Sequence, residues 1–184
     1  LVVMVHEELG RSYFHGADGD MLERYGKALG IPIVACPASG EGYRQAFEEG
    51  LAKAKAMGAE GVCFGDIDIE ANREWEEGCA KAAGLKPCFP LWQRGREEIV
   101  WELIRLGYRC IIKSIDRRVL PVGLLGTVID EAAVLAFQAA GIDVCGENGE
   151  YHTLIVDGPI FREPLCFEIG EVLEFGDYAA VDIR

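Results

Sequence analysis

Apolar positions along the chain fall into two successive rhythms. In the first half, short contiguous apolar runs alternate with stretches of helical spacing. Leu1 to Val5 (LVVMV) reads as a buried strand, followed by the polar loop HEELGRSYFHGADGD. Met21, Leu22, Tyr25, Ala28 and Leu29 recur at helical spacing and predict a helix over 21–29, closed by Gly30. Residues 31–36 predict a strand, with Pro37 ending it. A helix over 42–57 puts Tyr43, Ala46, Phe47, Gly50, Leu51 and Ala54 on one face. Residues 61–64 form a third apolar run. The stretch GDIDIEANREWEEGCAKAAG then turns helical in its second half, with Trp75 as a buried anchor and the charges of EANREWEEG on a solvated face. Strand and helix alternating through short links predict parallel strands joined by right-handed crossovers, a Rossmann-like doubly wound α/β layer.

The rhythm changes after Pro90, which places a domain boundary near residue 96. A helix over 97–106 and a strand over 108–115 (YRCIIKSI) come first, then a loop rich in Gly and Pro, then a helix over 130–140 with Asp130 near its cap. From Tyr151 onward apolar and polar residues alternate in YHTLIVD, PLCFEIGEVLEF and YAAVDIR, the pattern of antiparallel strands with one solvated face. The expected organisation is an α/β domain over 1–96 and a smaller α+β domain over 97–184.

Charge narrows the partners. Thirty-one acidic against eighteen basic residues give a formal net charge of -13, which disfavours a nucleic-acid backbone or an anionic membrane as partner. Seven scattered cysteines, mostly embedded in apolar runs and none in CxxC spacing, read as reduced core residues of a cytoplasmic protein, and three histidines without HxxxH spacing give no structural zinc site. No apolar run approaches the roughly 20 residues that span a bilayer. The chain opens with Leu1 inside an apolar run rather than with Met, so a segment upstream is expected.

Several segments could carry chemistry. Ligands of open α/β sheets bind beyond the carboxyl ends of the strands, where Gly65 and Asp66 follow GVCF. Gly65 permits close backbone approach, and Asp66 could take Mg²⁺ or a ribose hydroxyl; the alternative is a turn with a helix-capping aspartate. His15 lies at the same expected edge. Within Cys145 to Thr153 (CGENGEYHT), two glycines, two carboxylates, an amide, a phenol and an imidazole crowd the entry to a strand. With the strand starting near Glu150, Glu150 and His152 share one face and Tyr151 and Thr153 the other. Such a pair can exchange a proton, hold a metal or orient an amine, whereas a plain hairpin tip would need only Asn148-Gly149. In PLWQRGREE, Arg94 or Arg96 could clamp a phosphate, although arginines at a helix start are usually solvated and Trp92 usually packs.

Taken in order, GDI at 65–67, REWEE at 73–77, FPLWQRGREE at 89–98, LG at 125–126 and CGENGEYHTLIVDGPIF at 145–161 resemble the diphthine-ammonia ligase family of PP-loop ATP pyrophosphatases. The resemblance covers nearly the whole chain. It implies a nucleotide-binding α/β domain of the PP-loop ATPase type, a small C-terminal domain and an active site between them. It implies ATP and Mg²⁺, adenylation of a carboxylate, and displacement of AMP by ammonia; the family's acceptor is diphthine on elongation factor 2. Carried over by position, Gly65, Asp66 and Ile67 would bind nucleotide, with Asp66 on the metal. Glu147, Asn148, Glu150 and His152 would be catalytic, and His15, Trp92, Gly146, Gly149, Tyr151 and Thr153 would contact substrate.

Two departures matter. The SGGKDS-type phosphate loop of the family would precede Leu1, and SGEG at 39–42 lies too late to replace it. RSYFHG at 11–16 stands where archaeal and eukaryotic members carry a histidine followed by threonine and proline; it resembles bacterial members, whose acceptor could be a different carboxylate. The leading expectation is therefore an AMP-forming amide ligase. The alternatives are a module that binds ATP or AMP without catalysis, a bacterial paralogue with another acceptor, and a sulfur transferase of the same fold, the last disfavoured because no cysteine pair is placed as a sulfur relay.

Overall fold

The computed structural model describes residues 1–13 and 15–184. Its strands are β1 (Val2–His6), β2 (Arg11–Ser12), β3 (Val34–Ala38), β4 (Gly61–Cys63), β5 (Lys86–Cys88), β6 (Arg109–Asp116), β7 (Tyr151–Asp157), β8 (Ile169–Phe175) and β9 (Tyr178–Ile183). The helices are α1 (Gly19–Leu29), α2 (Tyr43–Ala56), α3 (Glu70–Ala83), α4 (Arg96–Arg105) and α5 (Glu131–Ala140). The chain divides into two compact units, one of Leu1–Tyr13 with Ile31–Arg94, the other of Phe14–Gly30 with Gly95–Arg184.

The first unit is mixed α/β with parallel strands. β1 runs parallel to β3 and antiparallel to the short β2, while β4 and β5 form a second parallel pair. Helix α2 packs on β1, β3 and α3, and α3 on β5. Leu51 of α2 and Cys79 of α3 are fully buried with Leu85, joined by Val2, Phe47, Val62 and Trp75. One local expectation fails at Pro37, which lies inside β3 rather than ending it. The N–H of Val34 bonds the oxygen of Leu1, so alternate amides face β1 and that of residue 37 would face away. On that open edge a missing N–H breaks no ladder bond, and proline is tolerated.

The second unit holds an antiparallel sheet of order β7-β6-β9-β8. Ile112, Val134, Phe137 and Ala179 are wholly buried in its core, with Val100 of α4 and Ala133 of α5 beside them. Helix α1, expected in the first domain, belongs to this unit instead. Its N-terminus is capped by Asp18, which accepts from the N–H of Met21 at 2.9 Å. The Tyr25 hydroxyl donates to the oxygen of Ile155, Arg24 to that of Cys166 at 3.1 Å, and the N–H of Arg162 to that of Ala28 at 2.7 Å. Partners some 130 residues downstream therefore decide where α1 packs, and helical spacing carries no signal for them. Gly30 closes α1 at φ 67°, where a Cβ would stand 2.0 Å from the Arg162 guanidinium carbon. Among the described residues, no helix is long and apolar enough to cross a membrane.

Candidate functional site

In the first unit, β4 passes through buried Phe64 to the exposed Gly65, whose missing side chain leaves open space. Asp66 comes next, half-buried, and accepts from the Asn72 amide at 2.8 Å. Ile67 is buried, and its carbonyl accepts from the N–H of Gln93 at 2.6 Å. Gln93 holds φ 60°, a left-handed backbone that is uncommon for glutamine and fixes the turn after Trp92. Trp92 is half-buried with the Arg73 guanidinium 4.7 Å from its ring centre; the same guanidinium stands 5.4 Å from Phe89 and pairs with Glu77 at 2.9 Å. Trp92 is thus a packed platform for an arginine within its own unit.

Glu76 is a feature the sequence hid. It falls within the helix stretch expected to be solvated, yet it is half-buried, and its Oε2 has no hydrogen-bond partner among the described residues. Burial, then the charge and hydrogen bonding of the neighbouring Asp66 carboxylate, push its pKa up to about 8. The Asp66 carboxylate beside it thus favours the protonated form of Glu76. Two hard oxygen ligands with an unsatisfied buried oxygen suit the way Mg²⁺ is held by one or two carboxylates and the phosphates of a nucleotide. Among the described residues, no group of three or more His, Cys, Asp or Glu gathers to cage a metal unaided.

In the second unit, the segment from Cys145 to Thr153 walls a cavity of about 460 Å³, with His15 entering from the link before α1. Gly146, Glu147, Gly149, Tyr151, His152 and Thr153 line it; Asn148 and Glu150 do not. Phe14, in the middle of RSYFHG, lies outside the described residues.

The wall is held by two carboxylates. Asp143 accepts from the N–H groups of Cys145 at 3.1 Å and Glu147 at 3.0 Å, and pairs with Arg96 at 2.5 Å. Arg96 is thereby used in building the loop. Glu150 is buried and accepts from the N–H of Asp143 at 3.1 Å, the N–H of Asn148 at 3.0 Å and the Asn148 amide at 3.2 Å. The expected Glu150–His152 face gives way to this arrangement, because β7 starts only at Tyr151 and the Glu150 carboxylate turns back into the loop. Three donors in the loop outbid the strand's alternation. Gly146 is required where it stands: at φ 72°, a Cβ there would lie 2.9 Å from the Tyr151 oxygen. Tyr151 is a core residue, stacked on Phe137 at 4.9 Å, with its hydroxyl donating to the Val144 carbonyl and burial raising its pKa.

The two imidazoles do face the cavity. His15 and His152 meet edge to face at 6.1 Å, and His15 Nδ1 stands 2.9 Å from the Thr153 oxygen. A carbonyl can only accept, so Nδ1 carries the proton and Nε2 of the neutral ring keeps its lone pair. His15 is exposed on one side, yet the protein packed around the rest of its ring lowers its pKa; the Thr153 bond opposes the shift and the charge of Lys113 adds to it. His152 is lowered by burial and then by His15. Lys113 is buried, donates to the Val181 oxygen at 3.2 Å and would touch a Cβ on Gly16. A lone lysine inside CIIKSI was the signal for it, as the aspartate in GIDVCG was for Asp143.

The sequence segments that build this wall are matched as a family. The description diphthamide synthase N-terminal domain fits residues 1–87, and diphthamide synthase C-terminal domain fits residues 95–183. The chain belongs to the diphthamide synthase family. Curated diphthine–ammonia ligases agree with that membership. The Bos taurus protein is 31% identical over 118 residues, which is 62% of this chain and 44% of that protein. The Homo sapiens protein is 30% identical over 118 residues with the same shares, and that of Schizosaccharomyces pombe is 29% identical over 118 residues, 62% of this chain and 20% of its own length. The chain therefore spans less than half the length of these diphthamide synthase relatives.

Proposed function

We propose that the chain carries the nucleotide and amine sites of an ATP-dependent, AMP-forming amide ligase, which activates diphthine or another carboxylate and amidates it with ammonia. The observation that carries the reading is the pair of imidazoles held neutral on one cavity wall, one within each of the two segments that match the family.

The chemistry assigns the roles. A carboxylate oxygen attacks the α-phosphorus of ATP and pyrophosphate leaves, giving an acyl adenylate; ammonia then attacks the acyl carbon and AMP leaves. Ammonium predominates at neutral pH, so the nucleophile must first lose a proton. His152, kept neutral by burial, takes that proton, and His15 offers the Nε2 lone pair beside it. Glu147, which lines the cavity, would attract the cationic ammonium to it. Asp143 and Glu150 are positioning residues that hold the wall, and Asn148 acts with Glu150. In the first unit, Gly65 admits a nucleotide against the backbone, Ile67 fixes the turn, and Asp66 with Glu76 would hold Mg²⁺. Bound there, Mg²⁺ supplies charge neutralisation of the phosphate oxygens.

Calorimetric titration of the full-length protein with ATP and Mg²⁺ tests the division of roles. Asp66→Ala should weaken binding at least about tenfold, whereas His152→Ala should leave it within about twofold. Undiminished binding in Asp66→Ala would remove that edge from the nucleotide site.

A further inference from the structure

The structure brings together two cysteines that are 25 positions apart, an encounter that sequence spacing does not signal. β4 and β5 pair in parallel with Cys63 directly opposite Cys88, and both thiols are exposed. The register is fixed independently on the next residues: the N–H of Phe64 bonds the oxygen of Cys88 at 2.9 Å, and the rings of Phe64 and Phe89 stack at 5.3 Å and 24°. Alternation along each strand sends the phenylalanines to one face and both cysteines to the other. Register partners on neighbouring strands have Cα atoms about 5 Å apart, inside the roughly 4.4–6.8 Å window that a disulfide bridges. Each cysteine is the last residue of its strand, so the pair lies at the end of the ladder, with only the Phe64–Cys88 bond beyond it.

We propose that Cys63 and Cys88 form a dithiol site that small-molecule disulfides oxidise to an intramolecular disulfide. The exchange balances in two steps. The Cys63 or Cys88 thiolate attacks a sulfur of oxidised glutathione, releasing one glutathione thiol and leaving a mixed disulfide. The neighbouring thiolate then attacks the protein sulfur of that mixed disulfide, forming the Cys63–Cys88 bond and releasing the second glutathione thiol. Two protein thiols are oxidised, one glutathione disulfide is reduced to two thiols, and two protons are accounted for on the released glutathiones. The second step is intramolecular, so the pair outcompetes single exposed cysteines such as Cys166. A hydrogen bond to Cys88 holds the Cys63 thiol above its ordinary pKa, which makes the first attack slow at neutral pH and faster in mild alkali. The site adjoins Gly65 and Asp66 in sequence but needs neither, and it stands whether or not the ligase reading does.

The test is non-reducing peptide mapping of the full-length protein after equilibration with oxidised and reduced glutathione at mildly alkaline pH. Arg73 separates the two cysteines, so trypsin releases them on different peptides. The expected result is a linked Cys63–Cys88 peptide pair in the wild type, and a stable glutathione adduct on the remaining cysteine in Cys63→Ser or Cys88→Ser. Stable glutathione adducts on both Cys63 and Cys88 in the wild type, as on Cys166, would overturn the proposal. So would thiols at 63 and 88 that stay reduced while Cys166 reacts. The wild-type map alone decides between these results, so a variant that fails to fold leaves the test intact.

Discussion

The Nδ1 of His15 stands 2.9 Å from the carbonyl oxygen of Thr153, a residue 138 positions away in the chain. That contact fixes a tautomer, and with it which ring nitrogen faces the cavity. Nitrogen NMR of the imidazoles should show His15 with its proton on Nδ1 at neutral pH. Predominance of the Nε2–H form would contradict the assigned contact.

Acid should destabilise the second unit through the same two rings. Both folded-state pKa values lie below the ordinary 6.5, so below that pH the unfolded chain takes up protons that the folded chain refuses. Stability is then lost as pH falls through 6.5 towards the folded values, and no such loss occurs above it. Urea unfolding at about pH 7.5 and about pH 5.5 should show a smaller acid loss in a His15→Gln, His152→Gln double variant than in the wild type. Equal losses in both proteins would remove the histidines from this account.

Glu150 should behave as a structural acceptor. Glu150→Ala leaves three donors of the loop without their carboxylate and should cost about 1–3 kcal/mol, as buried groups left unsatisfied do. Glu150→Gln keeps one carbonyl oxygen and should cost less. Chemical denaturation reads both, and ATP affinity should not move with either. An Ala variant as stable as the wild type would show that the loop is held by other contacts.

Gly146→Ala should be harsher than a surface glycine change, because the new Cβ meets the Tyr151 oxygen at 2.9 Å in a left-handed backbone. A loss of more than about 1 kcal/mol is expected, against a near-neutral effect for Gly123→Ala, where nothing lies within 4 Å and φ is not positive. Comparable losses at both positions would contradict the packing argument.

Local pattern made most elements legible: the helix at Tyr43–Ala56, the strands β1, β3 and β4 of the first half and the antiparallel strands of the second follow from periodicity, whereas the short β5 carries no strand pattern of its own. What stayed hidden depends on partners far along the chain. Strand pairing, not strand content, brings Cys63 to Cys88. Helix α1 looked like any crossover helix until Ile155, Arg162 and Cys166 claimed it. Pro37 looked like a stop because the open edge beyond β3 is a property of the sheet. Glu76 falls on the helix stretch that charge marks as solvated, because helical spacing cannot reveal that its carboxylate meets Asp66. The density of polar groups in CGENGEYHT did mark the cavity wall, but it could not tell Glu150, spent on loop amides, from His152, which faces the cavity.

The most direct test of the central claim is phosphorus NMR of the full-length protein turning over ATP with Mg²⁺, ammonium and the carboxylate acceptor. AMP and pyrophosphate should appear together, and His152→Ala should slow their formation at least about 100-fold while ATP still binds. Release of ADP and phosphate instead, or undiminished AMP formation in His152→Ala, would contradict it.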